Sequence, residues 1–294
     1  MKKRLLFVVN PISGVKRKEQ FIERIQHYFP EDQWLIQIQV SQYPGHAKDL
    51  AEKAKFLGYD AVIACGGDGT INEVASALLG SKTALGIIPF GSGNGMARHL
   101  GISLQADEAV EAIKAWQIQR IDTGEINNVP FIGVTGIGFD AHIGRRFANL
   151  EKRGFWSYFK LVLREYSTFK EKKILLSVNG HHQTHRAMMV TIANGSQFGN
   201  NAFIAPHASL TDQKFEVCVV RKFPLYASPA VAYLLFSKKI GRSKYIHSFQ
   251  AESIRVAHKR KWVHVDGEPK KLGRKLKIKL HPANLSVITG KDRV

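Results

Sequence analysis

The chain has 294 residues, 44% of them hydrophobic, and a formal net charge of +19. That is an ordinary globular composition, long enough for one large or two modest domains with a sizeable core. Two cysteines exclude a disulfide framework and point to a reducing cytosol, and no apolar stretch reaches the ~18 residues a membrane-spanning helix needs. The charge calls for an acidic partner: nucleic acid, an anionic membrane surface or phosphorylated small molecules.

Lys2-Lys3-Arg4 and the apolar run after them mimic a signal peptide, but the run is too short and no small-residue cleavage site follows. Residues 3–9 therefore read as a first buried strand. Asn10-Pro11-Ile12-Ser13-Gly14 is a turn signal leading to a helix near 18–29. Trp34, Ile36, Ile38 and Val40 alternate as a strand over 34–40. A helix over 46–57 opens with His46, which reads equally as a solvated first-turn residue.

Residues 61–65 are an apolar run that drops into Gly66-Gly67-Asp68-Gly69-Thr70. A helix over 70–80 follows, with Ile71, Val74, Ala75 and Leu78 on one stripe. Glycines let the backbone approach a ligand closely, and the new helix aims its unpaired N–H groups at the same place. That geometry suits phosphate, and the Asp68 carboxylate beside it implies Mg²⁺ or a reacting proton. A capped strand-to-helix turn fits the same residues. A strand over 84–88 leads into a second loop, Gly91-Ser92-Gly93-Asn94-Gly95, then Arg98. Loops after parallel strands line one sheet edge, so both loops should face one pocket. Neither is a Walker loop or a Gly-x-Gly-x-x-Gly loop. With a helix near 106–116, the alternation of β and α predicts a doubly wound parallel α/β domain.

After residue 124 short β-type runs take over: 131–135, 174–178, 187–193, 215–220, 254–257, 262–265 and 276–280. The boundary is placed there: 1–124 is an α/β domain and 125–283 a mostly β domain. Asn179-Gly180 signals a hairpin between 174–178 and 187–193, with His181, His182 and His185 in or beside its turn. Their spacing could bind a transition metal, though a polar turn explains them better. Helical stretches at 155–163 and 225–237 interrupt the β pattern. The second is almost wholly apolar and ends in Lys238, Lys239, Arg242 and Lys244. It reads either as a core helix with a solvated basic end or as a membrane- or lipid-facing segment. Between 237 and 279, fourteen Lys or Arg stand against three acids. No nucleic-acid module motif accompanies them and aromatics are not interleaved, which favours an anionic membrane over RNA or DNA.

Six segments, in order from residue 10 to 268, carry a resemblance: Asn10-Pro11-Ile12-Ser13-Gly14, Gly45-His46-Ala47, Gly66 to Glu73, Gly91-Ser92-Gly93-Asn94, Gly136-Ile137-Gly138-Phe139-Asp140-Ala141 and Asp266-Gly267-Glu268. The chain resembles the diacylglycerol kinase catalytic family, which includes bacterial lipid kinases and is related to sphingosine and ceramide kinases. The resemblance implies an ATP-dependent lipid kinase with Mg²⁺, cytoplasmic and peripherally bound to membrane, and makes a homodimer reasonable. It implies an NAD kinase-like first domain, a second domain that is a β-sandwich, an active site in the cleft between them, and a last strand (284–289) returning to the first domain. ATP would meet Asn10, Pro11, Ser13, Gly14, Ser41, Gly66, Gly67, Asp68, Gly69, Thr70, Asn72, Glu73, Gly91, Ser92, Asn94 and Arg98. Glu268 would be the general base, with Asp266 close by and Asp68 an alternative base. Asp122 and Asp140 complete the acidic set, any of which also fits a structural role. A structural Mg²⁺ would fall on Asp212, Ser209 and Lys214, although Gln213 stands where the family has glycine and Gly95 where many bacterial members have a carboxylate. The alternatives are a sphingoid-base or other long-chain-alcohol kinase, a soluble NAD kinase-like enzyme, and a non-catalytic basic module that binds membrane or RNA.

Overall fold

The structure, a computed structural model, describes residues 2–11, 15–148 and 155–290. It divides into two compact units, Met1–Asp122 with Pro282–Val294, and Thr123–His281.

The first unit alternates strand and helix: β1 (Lys3–Val9), α1 (Val15–Tyr28), β2 (Trp34–Val40), α2 (His46–Phe56), β3 (Ala61–Gly66), α3 (Asp68–Leu78), β4 (Ala84–Pro89), α4 (Gly95–His99), α5 (Ala106–Ala115) and the start of β5 (Ile118–Ile126). Strand order is β2-β1-β3-β4, all parallel, and Val287 of the last strand adds alongside Leu85. β3 and β4 are buried along their whole length, as expected of central strands covered on both faces. α4 follows the second glycine loop at once and is too short to leave a period in the sequence.

The second unit is a β-sandwich with helices on its outer side. Its elements are β6 (Val129–Phe131), β7 (Val134–Gly138), α6 (Phe139–Ala148), α7 (Phe155–Thr168), β8 (Lys172–Val178), β9 (His181–Ala187), β10 (Met189–Ala193), β11 (Phe215–Val220), α8 (Ser228–Phe236, entered through a 3₁₀ turn at Leu225–Ala227), β12 (Ile246–Ala251), β13 (Ser253–Ala257), β14 (Trp262–Val265), β15 (Glu268–Lys271) and β16 (Lys275–Ile288). One sheet runs β12-β11-β10-β7-β14-β15, and the other layer is β16-β13-β8-β9, antiparallel throughout. Between them lies a core of Phe131, Ile137, Leu176, Val190, Phe215, Val217, Val256, Val263 and Ile278, with others of their kind. A second core on the outer face gathers Phe139, Ile143, Leu161, Tyr166, Phe169, Met188 and Ile240 under α6, α7 and α8. Cys65 and Cys218 are buried thiols.

Three sequence expectations change. The Asn179-Gly180 turn, with φ of 47° and 87°, joins β8 to β9 and not to 187–193. His181, His182 and His185 are therefore strand residues, and among the described residues no group of three potential ligands is arranged for a metal. The runs at 276–280 and 284–289 are one strand, β16. Helix α6 occupies Phe139–Ala148, where the sequence offered no helical stretch, while the stretch expected at 155–163 is α7 and runs on to Thr168.

His258 gives the sandwich a pH dependence. Its ring is buried and its Nε2 has no partner among the described residues. Burial holds its pKa down at about 4, against 6.5 when exposed. The unfolded chain therefore binds the extra proton between those values. The stability tied to neutral His258 is complete above pH 6.5 and is lost as pH falls towards 4. Between pH 7 and pH 5 the wild type should lose about 2 kcal/mol more than His258→Leu, read from urea unfolding at both pH values.

Candidate active site

The two glycine loops of the first unit touch. The Phe90 amide donates to the Gly66 carbonyl at 2.8 Å. A Cβ on Gly91 would lie 2.6 Å from the Gly67 Cα and 2.7 Å from the Asn94 Oδ1. Only two glycines permit that approach, so the residues that open α3 and those that precede α4 form one surface. Gly91→Ala should cost about 1–3 kcal/mol, the usual price of an overpacked site, measured by urea unfolding.

Asn94 folds the second loop on itself. Its Oδ1 accepts the Gly91 N–H at 3.1 Å, its Nδ2 donates to the Gly91 carbonyl at 2.8 Å, and its backbone is left-handed at φ 48°. Arg98 donates from Nε to the Gly93 carbonyl at 3.3 Å. Ser92 and Gly69 are exposed at this surface. Asn10, at the end of β1, donates from Nδ2 to the Thr70 hydroxyl at 3.0 Å, and its amide binds the Cys65 carbonyl. The Thr70 side chain is packed against Gly66, which has no room for a Cβ there. Neither Asp68 nor Thr70 caps α3 by a side chain; the helix starts from the Gly67 carbonyl.

Asp68 sits between the loops. Its Oδ1 accepts the Gly95 N–H at 2.8 Å, and a Cβ on Gly93 would approach its Oδ2 to 2.7 Å. Burial pushes its carboxyl above the usual range, against the pull of backbone N–H groups at Gly95, Asn94 and Met96. The carboxylate belongs to the junction of both loops. It is also the one described acid there with the oxygen chemistry a hard cation prefers.

Other expected ligands have structural partners. The Glu73 carboxylate accepts the Gly45 and Ala47 N–H groups at 3.0 and 3.2 Å, capping α2 from α3. The Ser41 hydroxyl donates to the Val9 carbonyl at 3.4 Å and is buried. His46 accepts the Gln42 N–H at 3.0 Å through Nδ1 and stacks on Tyr43, which shapes the entry to α2. Asn72 is half-buried on α3 and Pro11 is exposed after β1. Ser13 and Gly14 lie outside the described residues. Asp122 accepts the Ala283 N–H at 2.8 Å and is buried, so it anchors β16.

In the second unit, Asp266 and Gly267 turn β14 into β15 with φ of 46° and 86°. The Asp266 carboxylate is buried and fully engaged. Oδ2 accepts the Ile132 N–H at 2.8 Å, and Oδ1 accepts those of Gly133 and Val134 at 2.9 Å each. Burial raises its pKa and those three donors oppose the rise. Glu268, two residues on, is exposed, and its carboxylate lies 3.6 Å from the Lys270 Nζ. Asp140 and His264 form a buried pair at 3.0 Å, with the Asp140 Oδ1 also accepting the Ala141 N–H at 2.7 Å. Gly136 lies directly against both side chains and leaves them no room for a Cβ. Nothing in the sequence ties His264 to Asp140.

Asp212, Ser209 and Lys214 share one loop. The Lys214 amide donates to the Asp212 Oδ1 at 3.1 Å, and the Ser209 hydroxyl lies 3.3 Å from that of Thr211. Gln213 holds φ 60°, the backbone a glycine would take there. With a single carboxylate, the loop offers few of the roughly six oxygens that Mg²⁺ prefers.

Comparison with known proteins covers both units. A family model described as "Diacylglycerol kinase catalytic domain" matches residues 4–126, and one described as "YegS C-terminal NAD kinase beta sandwich-like domain" matches 133–289. A "Probable lipid kinase YegS-like" of Citrobacter koseri is 33% identical over 184 residues, 60% of this chain and 62% of that protein. Its counterpart in Yersinia pestis (strain Pestoides F) is 30% identical over 69% of this chain and 70% of its own. The "Diacylglycerol kinase" of Bacillus subtilis (strain 168) is 25% identical over 90% of each chain. The match to the first of these spans less than two thirds of its length. The crystal structure of a diacylglycerol kinase from Bacillus anthracis str. Sterne superposes with TM-score 0.74 at 21% identity, covering 100% of this chain and 98% of that one, which establishes a shared fold.

Proposed function

Because the chain belongs to the diacylglycerol kinase family of lipid kinases, we propose that it transfers the terminal phosphoryl group of ATP to a hydroxyl of a lipid. The observation that carries this reading is the contact of Gly67 with Gly91. It makes one surface of the amino end of α3 and the loop before α4, and that surface offers backbone N–H groups to a polyphosphate. Thr70, Ser92 and Arg98 border it, while Asn10, Asn94 and Glu73 hold its shape. Asp68 would hold Mg²⁺, which when bound neutralises phosphate charge.

Phosphoryl transfer asks the protein mainly for positioning and for a base at the acceptor oxygen. Asp68 is committed to the Gly95 amide and Asp266 to three others. Glu268 is exposed, and among the described residues no backbone N–H bonds its carboxylate, which supports it as the group that takes the acceptor's proton. Asp266 is then a positioning residue that fixes the turn from which Glu268 projects. The Bacillus subtilis relative's name favours diacylglycerol as the acceptor.

Among the described residues no helix is long and apolar enough to cross a membrane. A lipid substrate would therefore be met at a bilayer surface, and a net charge of +19 favours an anionic one. The purified chain, labelled ATP and Mg²⁺ should be offered diacylglycerol, phosphatidylglycerol, sphingosine and NAD. Label in one of the lipids is expected. Label in NAD alone, or in none, would overturn the reading.

A further inference from the structure

The outer face of α8 is apolar, the reverse of what a helix on a watery surface carries. Val231, Leu234 and Leu235 turn inward onto the outer core of the second unit. The opposite side presents Tyr226, Tyr233 and Phe236 at 85%, 64% and 51% exposure, with Pro229 and Ala230 exposed between them. Positions 226, 229, 230, 233 and 236 fall on one stripe. No charged residue occurs from Pro224 to Ser237, so nothing on this element replaces the missing polar face.

The charge arrives directly afterwards and has one sign. Lys238, Lys239, Arg242 and Lys244 are all exposed, and no acid occurs between Glu216 and Glu252. An exposed apolar stripe with tyrosines, ended by a basic cluster, matches an anionic bilayer: rings at the acyl boundary, cations at the phosphates. A second copy of the chain would bring the same basic cluster to the contact and offers no complementary charge.

We propose that α8 is the membrane-docking element, lying in the plane of an anionic lipid surface on its Tyr226–Tyr233–Phe236 face with Lys238, Lys239, Arg242 and Lys244 against the headgroups. Its purpose rests on the lipid-kinase reading, but its test does not. The full chain, without ATP or substrate lipid, is sedimented with vesicles of phosphatidylcholine plus phosphatidylserine, and with vesicles of phosphatidylcholine alone. The wild type should prefer the anionic vesicles. Y233E/F236E should bind both about tenfold or more weakly, and K238E/K239E should lose the preference. Y233W/F236W, which keeps the face apolar, should bind normally and shift its tryptophan emission to the blue on anionic vesicles. That readout holds if the glutamate variant fails to fold. Wild-type binding by Y233E/F236E, or unshifted emission from Y233W/F236W, would overturn the proposal. So would a vesicle-free dimer, seen by analytical ultracentrifugation, that this variant abolishes; the face would then belong to a second copy. On a short-chain, water-soluble diacylglycerol, Y233E/F236E should be as active as the wild type. A wild type with no lipid kinase activity would sink the functional proposal and leave the vesicle result to judge α8.

Discussion

Asp266→Ala is expected to destabilise the chain by about 3–5 kcal/mol. The side chain supplies the acceptor for three backbone N–H groups, at Ile132, Gly133 and Val134. Each donor left buried and unpaired costs roughly 1–3 kcal/mol, less what relaxation and water recover. Alanine also loses the tolerance for a left-handed backbone that Asp brings to φ 46°. Asp266→Asn separates the contributions. Its amide oxygen can keep the Gly133 and Val134 bonds, while its NH₂ group faces the Ile132 N–H, so one bond is lost. Urea unfolding should rank wild type, Asn and Ala in that order. Hydrogen exchange should show the Ile132, Gly133 and Val134 amides opening first in the alanine variant. Equal stability of Ala and wild type would show that the carboxylate does not hold this turn. Because the same turn presents Glu268, the asparagine variant should keep measurable kinase activity if Asp266 only positions.

Much of the fold was legible because burial on both faces writes long apolar runs, as in β3 and β4. β9 left no such trace. It is an edge strand with six of its seven residues at least partly exposed, so its sequence has no alternation to read. β16 misled in the opposite way. Leu276 and Ile278 are buried in alternation with exposed lysines, whereas Leu285 to Ile288 are buried without alternation. The pattern changes around Ala283, whose φ is 45° and whose N–H goes to Asp122, and a change of pattern reads as two strands. The site shows the same division. Contact between the glycine loops follows from parallel strands, which place successive loops on one edge. The capping of α2 by Glu73 and the pairing of Asp140 with His264 join residues far apart in sequence, and no local pattern encodes them.

Glu268→Gln should lower kcat by about 10²–10⁴ while leaving the KM for ATP and the stability almost unchanged. The exchange keeps the side chain's size and removes only its ability to take a proton. Among the described residues no backbone N–H bonds the Glu268 side chain, and its exposed contact with Lys270 contributes little. A stability change beyond ~0.5 kcal/mol would point to a structural role instead. Asp68→Asn offers the contrast. It disturbs the Gly95 amide and the carboxylate at the loop junction, so it should raise the KM for ATP as well as lower kcat. The base is therefore identified by a split: kcat alone for Glu268, both constants for Asp68. Full turnover by Glu268→Gln would remove Glu268 from the chemistry. A fall in kcat alone for Asp68→Asn would transfer the role to Asp68, whose burial pushes its carboxyl upwards.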